Sequence, residues 1–158
     1  MDKTSHSHLD LLQKQLDNEV WSAVLISSGE NRRYLSGFTG SAGYLFITSE
    51  LALLFTDSRY TQQASNEATE FEIRQIDNKG WFSDLLGHLP ANSQIGYENR
   101  SMTVALFDQL NTFVTAANKQ TNNDLSLSGL DGMLDRLRSI KTPDEIALIE
   151  HAARIADQ

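Results

Sequence analysis

The 158 residues, 40% hydrophobic and 22% charged, suffice for one domain with a core of its own and are too few for two ordinary ones. With 13 basic against 21 acidic residues the formal net charge is -8, so no clustered cationic surface is evident and nucleic acid and anionic membranes are set aside as partners. There is no cysteine, which rules out disulfides, thiolate metal sites and a thiol nucleophile; the N-terminus MDKTSHSHLDLLQ has no apolar leader, and a cytoplasmic protein is expected.

Leu9, Leu12 and Leu16 stand at three- and four-residue spacing, with Leu11 widening the stripe, and predict a helix over about residues 8–18. Residues 21–26 read as a short apolar strand closed by Ser27-Ser28-Gly29. Asn31 is placed to cap a turn of helix that lays Tyr34 and Leu35 on the core. Residues 44–48 and 51–56 are two strands joined by Ser49-Glu50, a link short enough only for an antiparallel hairpin. Asp57 or Ser58 then caps a helix over about 59–69, with Tyr60 and Ala64 on one face.

After that, helices and strands alternate. Residues 71–76 are a strand, and 80–89 a helix carrying Trp81, Leu85, Leu86 and Leu89 up to Pro90. Residues 94–97 are a strand. Ser101 or Thr103 caps a helix to about Ala117, with Leu106, Leu110, Phe113 and Val114 at helical spacing. A polar turn over 118–124 and a last short strand at 125–127 follow, then a helix over 130–140. This alternation predicts a three-layer α/β domain: a mixed, mostly parallel β-sheet with helices on both faces. Thr142, Pro143 and Glu145 form a capping box that opens a further amphipathic helix bearing Ile146, Ile149, Ala153 and Ala156. That helix reaches Gln158 with no C-cap signal, so residues 1–140 are expected to be a domain and 141–158 a linker into polypeptide beyond.

Motifs for chemistry are scarce. Gly37, Gly40 and Gly43 are spaced G-x-x-G-x-x-G without a lysine and lead into a strand, so a phosphate loop is disfavoured and close backbone approach is the expected role. Gly40-Ser41-Ala42-Gly43 lacks the strand–serine–helix order of a nucleophile elbow. His6, His8, His88 and His151 show no metal-ligand spacing. Asp57 and Glu98 each follow a strand, where α/β sheets place ligands, although Asp57 is first expected to cap a helix and pair with Arg59.

Two strings go further. Residues 31–43, NRRYLSGFTGSAG, and 54–60, LFTDSRY, closely resemble the N-terminal domain of Xaa-Pro aminopeptidases, which is similar in form to that of prolidase and creatinase. Ile95-Gly96-Tyr97-Glu98 and the stretch from Leu134 through Lys141 to Ile146 resemble the family's later strand and its linker. The resemblance implies a ribonuclease H-like α/β domain followed by a pita-bread catalytic domain. That second domain would hold two divalent metal ions, usually manganese, whose bridging hydroxide attacks the bond before proline. It implies no metal, cofactor or catalytic residue in this chain, which is expected to be inactive alone. Its implied role is to build subunit contacts, in a homodimer or higher oligomer, and to wall the substrate channel. Phe38, Thr39, Gly40, Ser41, Asp57, Arg59 and Tyr60 are the residues expected there. The implied partners are its own C-terminal catalytic domain and a proline-containing peptide. The alternatives are the same domain of a prolidase-type dipeptidase or a creatinase-like amidinohydrolase, or a stand-alone binding module.

Overall fold

The computed structural model describes residues 7–76 and 81–157. A six-stranded sheet divides the molecule. Its strands are β1 (Ala23–Ile26), β2 (Tyr44–Thr48), β3 (Ala52–Thr56), β4 (Glu72–Gln75), β5 (Gln94–Tyr97) and β6 (Ser126–Gly129), in the order β4-β3-β2-β1-β5-β6. β2 runs antiparallel to β1 and β3, and the remaining pairs are parallel. The sheet is therefore mixed and mostly parallel, as the alternating sequence pattern implies.

Strand periodicity sorts the core into two layers. Val24, Ile26, Leu45, Ile47 and Leu54 face one side. There they meet α1 (His8–Leu16), α2 (Gly29–Ser36), α3 (Thr61–Glu67) and α5 (Met133–Ser139) through Leu12, Leu35, Ala64 and Met133. Ala23, Leu25, Phe46, Leu53, Phe55 and Ile95 face the other. They pack on a 3₁₀ segment, Trp81–His88, and on α4 (Val104–Thr121) through Leu106, Leu110 and Val114. Helices on both faces make this a three-layer α/β fold.

Several local expectations change. Asn31 does not cap α2: Ser28 does, its Oγ accepting from the Asn31 N–H, and Asn31 lies buried inside the helix. Neither Asp57 nor Ser58 caps α3, which begins only at Thr61 with no side-chain cap. The Asp57 carboxylate is instead taken up by the backbone and guanidinium N–H groups of Arg59. The segment after residue 80 is 3₁₀ rather than α. Trp81 and Phe82 stack on one another at 4.1 Å and Trp81 on Tyr44 at 5.1 Å, which anchors the segment on the sheet. The Gly80 start of that helix lies outside the described residues.

α4 runs past Ala117 to Thr121, where Asn122 takes a left-handed turn. Asn118, expected in a loop, is helical and ties down Leu125 through both its amide oxygen and nitrogen. The helix expected from residue 130 starts at Met133, because Asp131 and Gly132 both have positive φ. α6 (Pro143–Ala156) forms with the predicted capping box, Thr142 and Glu145 bonding reciprocally. None of its residues is buried, and Ile146, Leu148, Ile149 and Ile155 are all exposed.

Candidate functional site

One end of the sheet collects the polar chemistry. The chain leaves β1, β3, β5 and β6 there and enters β2 there, so Ser27-Ser28, the 38–43 loop, Asp57–Tyr60 and Glu98 lie at that end. Gly37 ends α2 in a left-handed conformation, φ 73°, and releases the chain into the loop. Phe38 turns inward, 1% exposed, and the backbone of Gly40 lies flat on its ring: a Cβ at Gly40 would come within 2.2 Å of it. This close approach, and not anion binding, accounts for a glycine at 40.

The loop is stitched from beneath. Arg32 Nη1 donates to Gly43 O and Nη2 to Gly40 O, each at 2.7 Å, and Thr56 Oγ1 donates to Ala42 O at 2.7 Å. It is also joined to the segment after β3. Ser41 Oγ and Tyr60 Oη share a 2.7 Å hydrogen bond, and Phe38 meets the Tyr60 ring edge-on at 6.1 Å. Thr39 is held by Glu67 and Gln63 of α3; its N–H donates to Glu67 Oε2 at 2.7 Å. That bond, and next the Gln63 amide, hold the Glu67 carboxyl below its usual range. Arg59 Nε and Nη2 donate to the two Asp57 oxygens at 3.0 and 2.8 Å while its guanidinium lies 5.3 Å from the Tyr60 ring centroid. The Arg59 hydrogen bonds lower the Asp57 pKa, and Asp57 raises that of Arg59.

The structure thus draws all seven expected residues into one patch, with different parts. Thr39, Ser41 and Arg59 face solvent, Asp57 and Tyr60 are half-buried, and Phe38 and Gly40 support the loop from inside.

The sequence matches the Creatinase/Prolidase N-terminal domain family over residues 8–140. The chain belongs to this family. It is 34% identical over 137 residues to the Uncharacterized peptidase YqhT of Bacillus subtilis, covering 85% of this chain and 36% of that protein. It is 34% identical over 98 residues to Xaa-Pro aminopeptidase ApepP of Drosophila melanogaster, 58% of this chain and 16% of that protein. An Xaa-Pro dipeptidase from Bacillus anthracis superposes with a TM-score of 0.75 at 26% identity, over 95% of this chain and 40% of that one. The N-terminal domain of the cytoplasmic peptidase PepQ from Mycobacterium tuberculosis gives 0.68 at 29% identity, over 84% of this chain and 99% of that one. The chain therefore spans well under half the length of the full peptidases it matches.

Within this creatinase/prolidase N-terminal domain a second polar centre gathers around Glu98, and its partners escaped the motif reading. Glu98, 6% exposed, receives the N–H and hydroxyl of both Ser27 and Ser28 and the Asn31 side-chain amide. Arg138 Nη1 then donates to Asn31 Oδ1 at 3.1 Å, tying α5 to the same knot. Position after a strand was the available signal for Glu98. Its partners lie about 70 residues earlier, which no spacing rule reaches. Among the described residues, no three His, Asp or Glu side chains converge in a group that could hold a metal ion. Among the same residues, no helix is long and apolar enough to cross a membrane.

Proposed function

We propose that this chain acts as the non-catalytic N-terminal domain of a metal-dependent, cytoplasmic Xaa-Pro aminopeptidase. It serves subunit assembly, in a homodimer or higher oligomer, and walls the substrate channel of an enzyme that removes the residue before proline. The observation that carries this is the family match over residues 8–140 alongside full peptidases of which the chain covers 36 to 40%. Metal chemistry, with two divalent ions such as manganese, belongs in this reading to a C-terminal catalytic domain. The unburied apolar residues of α6, Ile146, Leu148, Ile149 and Ile155, suit contact with that domain.

Thr39, Ser41 and Arg59 are the groups positioned to meet a peptide, with Asp57 and Tyr60 orienting Arg59 and Ser41. In the protein that joins this domain to its catalytic domain, Arg59→Ala is expected to raise KM for X-Pro peptides while kcat is kept, since in this reading the residue binds peptide and takes no part in the chemical step. A fall in kcat with KM unchanged counts against the channel role. The dipeptidase reading is favoured by the fold match to the Bacillus anthracis Xaa-Pro dipeptidase. Longer X-Pro peptides assayed beside dipeptides separate the two.

A further inference from the structure

Arg32 lies on α2 with 5% of its surface exposed, and both hydrogen bonds of its guanidinium end on carbonyl oxygens of a single loop. Among the described residues its Nε has no hydrogen-bond partner, and its charged carbon sits 5.7 Å from the centroid of the Phe38 ring. Burial pushes its pKa down, against weaker opposing pulls from Tyr44, Glu30 and Glu98. A cation buried on carbonyl dipoles is a costly way to fill space, and an apolar side chain would serve a core better. What a guanidinium adds is a rigid planar fork that fixes two acceptors at a set separation.

We infer that Arg32 is a positioning residue: its fork clamps Gly40 and Gly43 so that Thr39 and Ser41 form a preformed, rigid wall and not a mobile lid. The peptide then meets a surface that needs no ordering on binding. The functional meaning rests on the channel reading proposed above, whereas the rigidity is a property of this chain.

Backbone ¹⁵N relaxation on the 158-residue chain tests it. In the wild type, amides of residues 39–43 are expected at order parameters of about 0.85, like those of β2 and β3. Arg32→Lys keeps the charge without the fork, and Arg32→Met keeps the stem without the charge. In both, the loop amides are expected to fall below about 0.6 while the two strands stay near 0.85. A loop already below that value in the wild type overturns the inference. So does a loop still rigid in both variants, or order lost equally in loop and sheet. If neither variant folds, Ser41→Ala combined with Thr56→Val decides: a loop that stays ordered without the Ser41–Tyr60 and Thr56–Ala42 bonds supports Arg32 as the clamp, and one that loosens overturns it. Failure of the channel reading would show in peptide KM and leave these order parameters untouched.

Discussion

Replacing Glu98 with glutamine probes the buried knot with almost no change of volume. Oε2 accepts from both backbone N–H groups of Ser27 and Ser28 and from the Ser27 hydroxyl; Oε1 accepts from the Ser28 hydroxyl and, at 2.6 Å, from Asn31 Nδ2. A glutamine amide must place its NH₂ at one of these positions. At Oε2 it would confront two backbone donors that cannot turn away. At Oε1 it confronts the Asn31 NH₂, while the Ser28 hydroxyl can rotate to accept. The second orientation is cheaper and still strands one buried donor, at about 1–3 kcal/mol. The remaining bonds also lose their charged acceptor, which roughly halves their strength. Together these give a loss of about 2–4 kcal/mol, or a melting temperature lower by about 5–15 °C for a chain of this size. Urea unfolding followed by fluorescence of Trp21 and Trp81 measures it directly, since both are buried in the wild type. A loss under about 0.5 kcal/mol would refute the view that these five bonds hold α2 to the sheet.

Three further outcomes are expected. Leu12→Ala, at a fully buried position on the inner face of α1, should cost about 2–5 kcal/mol, whereas Ile155→Ala on α6 should stay within about 0.5 kcal/mol in this chain; equal losses in urea unfolding would contradict the burial pattern. Gly40→Ala drives a methyl into the Phe38 ring and should cost about 1–3 kcal/mol, with near-ultraviolet circular dichroism reporting the displaced ring; unchanged spectra and stability would count against the packed loop. The Glu145 carboxyl is held below its usual range, first by the Thr142 N–H, with burial acting against it and the Thr142 hydroxyl and His8 assisting. A depressed folded pKa contributes stability that is present above the unfolded value and lost as pH falls through the folded one. The first turn of α6 should therefore be fully formed at neutral pH and fray on acidification below the ordinary glutamate range. An NMR titration of the Thr142 N–H checks this, and Glu145→Gln, which removes the titrating carboxyl, should abolish the transition.

The sheet was legible because its signals are local. The alternation of Leu45, Phe46 and Ile47 fixes which side chain faces which layer, and the two-residue link at Ser49-Glu50 leaves only a hairpin. The capping box at Thr142 was equally plain, since all its parts lie within four residues. What could not be read is what depends on distant partners. Asp57 looks like a helix cap until Arg59 takes its carboxylate, and Asn31 looks like one until Glu98 and Arg138 take its amide. Arg32 carried no signal of its own, because a loop's inward carbonyls are invisible in sequence. The candidate site residues were chosen by family likeness; their division into exposed and supporting members came from the fold.

Turnover of X-Pro peptides by the purified chain, in manganese-containing buffer, tests the proposed non-catalytic role most directly. No cleavage above the buffer rate is predicted, with no three potential metal ligands converging among the described residues. Cleavage that co-purifies with the folded chain through successive columns and disappears when it is unfolded would contradict that role.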